Sequence, residues 1–463
     1  MSSDFPGEAH DMISAIILAA GKGTRMHSEH AKVMHLVLGE PMLEHTYDTL
    51  KAAGVDRMVC VVGYGADEVT GHFGDRFDYA VQQPQLGSGH AVMQAAQLKG
   101  EKGRTLIVNG DCPLIRKETY QKLLDAGQQY PLVVLTAVLP EGGAYGRIVR
   151  SADGAVEKIV ERKDASEQEA AIREINAGIY CVDNELLWRY LPELTNDNAQ
   201  QEYYVTQLVE IFRRHGHTVG AVTGEDFREM SGINTRKELN AATAWLQQKV
   251  NDYWLDHGVS ILSPGTTYIG THVQLGEDVI LYPNVRLSGD TVVGKDTVIS
   301  EGSVLINARI GAHDTITSSL ITDSTVGDFT TVGPWAHLRN GCQIGDHVRI
   351  GNFVEMKDTS LGEGTKCAHL TYVGDCRVGS HVNFGCGVVT VNYDGKHKLH
   401  SVIGDGAFIG SNVNIIAPVT IGEDALLAAG STIDHDVAPG DMAIARPRQE
   451  AKKGYGLVYK NKK

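Results

Sequence analysis

The chain has 463 residues, 42% apolar and 21% charged: enough for two or three domains with sizeable cores, and ordinary for a soluble globular protein. Its formal charge of −15 at pH 7 opposes a nucleic-acid or anionic-membrane partner and leaves anionic small molecules only where cations gather locally. Seven cysteines (Cys60, Cys112, Cys181, Cys342, Cys367, Cys376 and Cys386), odd in number and without a C-x-x-C pair, read as reduced thiols of a cytosolic protein.

The opening residues, MSSDFPGEAHDM, carry no basic stretch, and the apolar run Ile13 to Ala20 is too short to span a membrane, so it predicts a strand. As far as about Thr223, apolar runs (ISAIILAAG, RMVCVVGYG, TLIVNGD, PLVVLTAVL, INAGIYCV) alternate with helical stretches such as PMLEHTYDTLKAAG. That rhythm predicts a mostly parallel sheet covered on both faces. The segment LAAGKGTRM, Leu18 to Met26, leaves the carboxyl end of the first strand, where open α/β sheets place their ligands. It matches neither the Walker loop nor the dinucleotide fingerprint. Gly21 and Gly23 let backbone approach phosphate oxygens, Lys22, Arg25 and Lys32 add positive charge, and the N–H groups of a following helix add to the pull. The competing reading is an ordinary glycine-rich turn.

Asp111, in NGDCPL, ends the strand TLIVNGD. A carboxylate there holds Mg²⁺ against phosphate oxygens or caps the next helix. Loop and carboxylate together point to phosphoryl or nucleotidyl transfer, with Arg25 neutralising a leaving pyrophosphate.

From residue 236 to 258 the pattern turns helical, with Leu239, Ala242, Leu246, Val250, Tyr253 and His257 near one face and Gly258 at the end. Beyond it an aliphatic residue recurs every six positions: Ile269, Leu275, Leu281, Leu287, Val293, Ile299 and Leu305, then Val326 to Ile350, then Ile403 to Leu427. Period six is the signature of a parallel β-helix, and the glycine that often follows the aliphatic residue suits a tight corner. The rhythm fails at VVTVNYDGKHKLHS, which predicts a loop on one face.

LAAGKGTRM, Lys32, QQPQLGSGHA, NGDCPL, AYGRIV, VERKDA, EINAGIY and GIN resemble the sugar-nucleotide pyrophosphorylases. With GNFVEMK, AHLTYVGD, VNYDG and AIAR in the repeat half, nearly the whole chain is similar to the bacterial bifunctional N-acetylglucosamine-1-phosphate uridyltransferase/glucosamine-1-phosphate N-acetyltransferases. The resemblance implies an α/β plus β fold: an N-terminal Rossmann-like nucleotidyltransferase domain (1–235), a linker helix (236–258) and a C-terminal left-handed parallel β-helix of hexapeptide repeats with a tail (259–463). It also implies cytoplasmic synthesis of UDP-N-acetylglucosamine for peptidoglycan and lipopolysaccharide, by acetyl transfer from acetyl-CoA to glucosamine 1-phosphate and then uridylyl transfer from UTP to N-acetylglucosamine 1-phosphate. The assembly it implies is a homotrimer.

Residue by residue, the resemblance places Leu18, Ala19, Ala20, Gly21, Gln82, Gly87 and Ser88 on the uridine, and Lys22, Arg25 and Lys32 on the phosphates. Gly146, Glu161 and Asn176 fall on the sugar, and Asp111 and Asn234 on Mg²⁺. Ser88 stands where the family commonly has Thr and keeps the hydroxyl; Asn109, a nucleotide-side contact, stands where it often has Tyr. In the repeat half, His369 takes the part of general base, which suits an imidazole near neutral pH. Glu355 would orient His369, while Arg339, Lys357, Tyr372 and Asn383 would hold the sugar phosphate. Cys386, Asn392, Tyr393, Lys398, Ser411, Ala429 and Arg446 would hold acetyl-CoA, Cys386 replacing a common Ala and offering its backbone N–H. Two other readings compete: a single-activity nucleotidylyltransferase with the β-helix as scaffold, and a non-enzymatic binding protein of the same architecture. Neither needs both residue sets.

Overall fold

In the computed structural model, residues 11–140, 143–152 and 154–460 are described; the opening residues 1–10 lie outside them. The chain divides into two compact units, up to Leu246 and from Gln247 onward. The division falls inside the helix Arg236–Asp256.

The main sheet of the first unit has nine strands among the described residues: β1 (Met12–Leu18), β2 (Arg57–Val62), β3 (Asp78–Val81), β4 (Gly103–Asn109), β5 (Leu132–Val138), β6 (Arg147–Arg150), β7 (Val156–Val160), β8 (Glu174–Asp183) and β9 (Val219–Thr223). The main order is β9-β5-β8-β4-β1-β2-β3, with β6 and β7 attached through β8. β1 lies parallel between β2 and β4, as the continuous Val/Ile/Leu runs require. β8, however, runs antiparallel to both β4 and β5, so the sheet is mixed. A strand buried on both faces carries the same apolar run in either direction, and for that reason INAGIYCV does not announce its orientation. Apolar side chains cover the two faces as separate clusters, Ile17, Cys60 and Val108 in one and Ile16, Val61 and Ile107 in the other.

The second unit is a parallel β-helix of two- to seven-residue strands, each pairing in parallel with the strand one coil on. Tyr268 pairs with Arg286 and Ile269 with Leu287, so a coil takes 18 residues, three times the six-residue period. The aliphatic residues at that period form one interior stack, including Ile269, Leu287, Leu305, Leu338, Ile350, Ile409 and Leu427. Between Leu305 and Val326 the count breaks because Val304 pairs with Leu320 in a 16-residue coil, and Ile310, Ile316 and Ile321 fill the core. At the predicted loop, Cys376 pairs with Ser401, a span of 25 residues, while Tyr393 and Lys398 bridge across it.

The glycines after the aliphatic residues have a different reason from the one expected. A Cβ on Gly351 would lie 1.8 Å from the Ala368 carbonyl oxygen, and one on Gly410 2.5 Å from the Ala429 nitrogen. They permit coil-to-coil approach, whereas left-handed backbone is taken up by Asn340, Asp358 and Asp375 (φ 57°, 44° and 50°).

Along the helix Arg236–Asp256, Leu239, Ala242, Trp245 and Leu246 pack with Ile233 and Leu114 of the first unit, and Val250 and Trp254 against the β-helix core. Tyr253 and His257 are exposed and stacked on each other, so the apolar face ends on Trp254 instead. Gln247 and Asn251 are buried and donate to the carbonyls of Pro264 and Thr267.

Asp314 is buried within the β-helix, one oxygen accepting from the Thr330 N–H at 2.7 Å and the other without a partner. Burial, aided by Asp328 and Asp346, raises its pKa from 3.8 to about 7. The folded state therefore holds a proton that the unfolded state releases between these values, so this site's contribution to stability is complete below 3.8 and lost as pH rises through 7. Asp314→Asn should melt above the parent at pH 8, and the difference should shrink as pH falls from 7 toward 4; scanning calorimetry across that range checks it.

Candidate active sites

The loops leaving β1, β2 and β4 meet at their carboxyl ends: Ala19 N–H donates to the Val61 carbonyl, Tyr64 N–H to Ala20 and Gly110 N–H to Leu18. They enclose a cleft of about 340 Å³ lined by Leu18, Ala19, Ala20, Gly21, Lys32, Gln82, Gly87, Ser88, Asn109 and Asp111. A second cleft of about 300 Å³, lined by Gly146, Glu161, Asn176, Tyr145 and Gly178, shares Asn109 and Asp111 with the first. Two ligand-sized spaces thus meet at two side chains, one at the end of β4 and one on the loop after it.

At that junction Lys32 Nζ contacts Asp111 Oδ2 and donates to Asn234 Oδ1 at 2.7 Å. Glu238, in the first turn of the helix Arg236–Asp256, accepts from the backbone N–H of Asn234 and Thr235 at 2.7 and 2.9 Å, which fixes Asn234 beside Lys32. Arg236 donates to the Met26 carbonyl and ties this helix start to the glycine-rich loop. Lys22 and Arg25 are exposed on that loop and line neither cleft; Lys22 Nζ lies 5.2 Å from the Tyr64 ring centroid. The expected following helix is only a 3₁₀ turn, Thr24–Met26, because Gly23 and His27 on either side are left-handed. Charge at this loop therefore comes from side chains rather than from a helix terminus.

In the first cleft Gln82 is buried, its Nε2 donating to the Gly87 carbonyl at 2.9 Å. Ser88 Oγ accepts from Val205 N–H at 3.1 Å, and Gly89 N–H donates to the Tyr203 carbonyl, which draws Glu202 into the lining. Gln85 also lines this cleft and donates to the Ala20 carbonyl. Gln85 lies within the segment QQPQLGSGHA but takes no role there from the resemblance, and no local pattern marks Glu202, which arrives from a segment more than a hundred residues downstream.

In the second cleft Asn176 donates to Tyr180 Oη at 2.7 Å and accepts from Gly178 N–H at 2.9 Å. Gly178 is left-handed (φ 73°), and a Cβ there would come 2.6 Å from Asn109 Nδ2. Burial, with Asp164 adding to it, raises the Glu161 pKa above the usual carboxylate value.

In the β-helix, pairing between coils sets the candidates in columns. Asn352 pairs with His369, and Cys367 with Phe384, which puts Cys386 on the next coil beside His369. Asn412 N–H donates to the Cys386 carbonyl and Gly430 N–H to Ser411, so Ser411 and Ala429 continue the same edge. A Cβ on Gly430 would lie 3.7 Å from Arg446 Cδ. His369 Nδ1 meets Asn352 Oδ1 at 3.2 Å; an amide oxygen only accepts, so Nδ1 is the donor in this pair and Nε2 is not engaged by it.

Glu355 does not meet His369 here. It accepts from Arg339 Nη2 at 2.6 Å and Nε at 3.2 Å, drawn by the guanidinium charge on the neighbouring coil. Asn352, given no role in the sequence reading, is the side chain that meets His369. Lys357 Nζ donates to Asp375 at 3.2 and 3.5 Å, and Asn392 Nδ2 donates to Tyr372 Oη at 3.3 Å and to Asp375. Asn392, assigned to acetyl-CoA, thus also touches the sugar-phosphate group of side chains. Asn383 is half-buried and pairs with Lys366, and Lys398 Nζ lies 4.4 Å from the Tyr393 ring centroid in the loop.

All seven cysteines are free, and Cys386 alone of them is not buried. Burial lifts the thiols of Cys60, Cys181, Cys367 and Cys376 to about 12, which keeps them protonated at neutral pH. Among the described residues no helix is long and apolar enough to cross a membrane.

A mixed α/β sheet with a charged cleft at its strand ends, followed by a hexapeptide β-helix, defines a nucleotidyltransferase joined to a hexapeptide-repeat transferase. Family models agree: residues 15–178 match the MobA-like NTP transferase domain, 263–361 the GMPPB C-terminal domain, and 400–435 the bacterial transferase hexapeptide repeats. The bifunctional protein GlmU of Exiguobacterium sibiricum is 48% identical over 95% of this chain and 99% of its own length. Those of a Geobacillus species and of Listeria monocytogenes are 48% and 45% identical over 95% of this chain and 97% of theirs. The chain belongs to the bifunctional GlmU family. It is a two-activity enzyme of UDP-N-acetylglucosamine synthesis, uridyltransferase and acetyltransferase.

Proposed function

We propose that uridylyl transfer takes place in residues 1–235, where the two clefts meet at Asn109 and Asp111, and acetyl transfer in residues 259–463, joined by 236–258. The observation that carries the first assignment is the convergence of Asp111 and Asn234 oxygens on the single charge of Lys32 Nζ. UTP occupies the cleft walled by Leu18 to Gly21, Gln82, Gly87 and Ser88, and N-acetylglucosamine 1-phosphate the cleft of Gly146, Glu161 and Asn176. Two oxygen donors aimed at one cation also fit a divalent metal, which we assign as Mg²⁺. When bound, the metal neutralises phosphate oxygens. Lys32, with Lys22 and Arg25 from the loop, takes up charge as a sugar-phosphate oxygen attacks the α-phosphorus in line and the bond to pyrophosphate breaks.

In the β-helix the glucosamine nitrogen attacks the thioester carbon of acetyl-CoA. His369 Nε2 receives the amine proton, the C–S bond breaks, and the proton passes to the departing thiolate. Arg339, Lys357, Tyr372 and Asn383 hold the sugar phosphate; Cys386, Asn392, Tyr393, Lys398, Ser411, Ala429 and Arg446 hold the acyl donor. Glu355 acts on Arg339. Trp335 and Phe353, stacked at 5.2 Å, and Leu370 form an exposed apolar ridge beside Asn352 and His369. A ridge of this kind is covered by association, and we assign a cytoplasmic homotrimer with copies meeting along it.

Chelation tests the metal assignment. With EDTA in excess, pyrophosphate formation from UTP and N-acetylglucosamine 1-phosphate should stop while CoA thiol release continues unchanged; equal loss of both would remove Asp111 and Asn234 as the metal pair. Light scattering should return the mass of three chains, and a monomer at working concentration would overturn the trimer.

A further inference from the structure

Asp375 is 2% exposed, and each polar partner of its carboxylate belongs to the acetyl-transfer machinery proposed above. Lys357 Nζ donates to Oδ1 at 3.2 Å and Oδ2 at 3.5 Å, and Asn392 Nδ2 donates to Oδ2. Asn392 reaches Tyr372 Oη with the same amide nitrogen. Lys357 lies on one coil, Asp375 on the next, and Asn392 at the foot of the inserted loop, so a single carboxylate joins three segments distant in sequence.

The chemistry of the pair matters more than its contribution to stability. A buried carboxylate is costly unless paired, and this one is satisfied only while Lys357 and Asn392 stay where they are. Gly374, between Tyr372 and Asp375, keeps the space open: a Cβ there would come 2.3 Å from Tyr372 Oη and 2.6 Å from Asn392 Nδ2. Asp358 and His400 stand nearby, their ligand atoms within 4.8 Å of the Asp375 carboxylate and of each other. Arg377 donates to Asp358 at 3.3 Å, and the cation that Asp375 itself meets is Lys357.

We infer that Asp375 is a positioning residue that couples the two substrate subsites of acetyl transfer, holding Lys357 toward the sugar phosphate and Asn392 toward the acyl donor. The inference rests on the subsite assignments of the proposed function. It predicts that one substitution disturbs the binding of two chemically unlike substrates.

The test is steady-state kinetics of CoA thiol release by the full chain, varying each substrate in turn. Lys357→Met should raise KM for glucosamine 1-phosphate alone and Asn392→Leu KM for acetyl-CoA alone; if either fails, the subsite assignment fails, independently of Asp375. Asp375→Leu should raise both KM values about tenfold or more, the scale of a charged hydrogen bond lost at each side chain. On the KM for glucosamine 1-phosphate, adding Asp375→Leu to Lys357→Met should then cost little beyond Lys357→Met alone. Uridylyl transfer and the melting temperature report folding; where Asp375→Leu fails to fold, Asp375→Asn, which retains one acceptor, takes its place and should show a smaller rise in the same two constants. A folded Asp375 variant with both KM values unchanged, or with a cost on the KM for glucosamine 1-phosphate fully additive to that of Lys357→Met, overturns the inference.

Discussion

His369→Ala should lose CoA thiol release by about a hundred- to ten-thousandfold, the range for removing a general base, and leave pyrophosphate formation at the level of the parent chain. The basis is that Nδ1 is committed to Asn352, which leaves Nε2 as the only nitrogen able to accept the amine proton. His369 and Asn352 belong to the β-helix, whereas the residues of the uridylyl site precede it in a separate compact unit. Asn352→Leu should lower kcat without a matching change in KM, because a ring freed from its partner samples the wrong tautomer while the substrate contacts stay in place. Separate assays of thiol and pyrophosphate release measure both halves on one preparation.

Lys32→Ala should give the mirror image, with uridylyl transfer falling about a hundred- to a thousandfold, as for the loss of one preorganised charge-stabilising donor, and acetyl transfer retained. Lys32 is the residue on which Asp111 and Asn234 converge, and its Cβ packs so near Gly23 that a Cβ there would lie only 2.8 Å away. It therefore links the glycine-rich loop to the two residues proposed to hold the metal. Lys22 and Arg25, exposed on the loop, should cost less when replaced singly.

The two sites differ in how much of them can be read from the chain itself. LAAGKGTRM and NGDCPL are legible because each is one local turn at a strand end, and the clefts form around them. The β-helix is legible because each coil repeats its aliphatic position, and Ile409, Ile415 and Ile421 are all fully buried. Glu202, Asn352 and Asp375 escape because their neighbours come from pairing between coils or from distant segments, which no local pattern encodes. The reversed direction of β8 escapes because a doubly buried strand has no polar face to orient it. Glu355 illustrates a further limit: the family resemblance directs it to His369, whereas the structure pairs it with the Arg339 guanidinium on the neighbouring coil.

The most direct test of two separate sites in one chain is CoA thiol release with acetyl-CoA and glucosamine 1-phosphate as the only substrates, UTP and divalent metal being withheld. Thiol release that depends on the sugar phosphate, from protein that makes pyrophosphate only once N-acetylglucosamine 1-phosphate, UTP and Mg²⁺ are supplied, is the predicted result. No thiol release from protein that still forms pyrophosphate would contradict it, leaving the β-helix a scaffold and the columns of Asn352, His369 and Cys386 without the chemistry assigned to them.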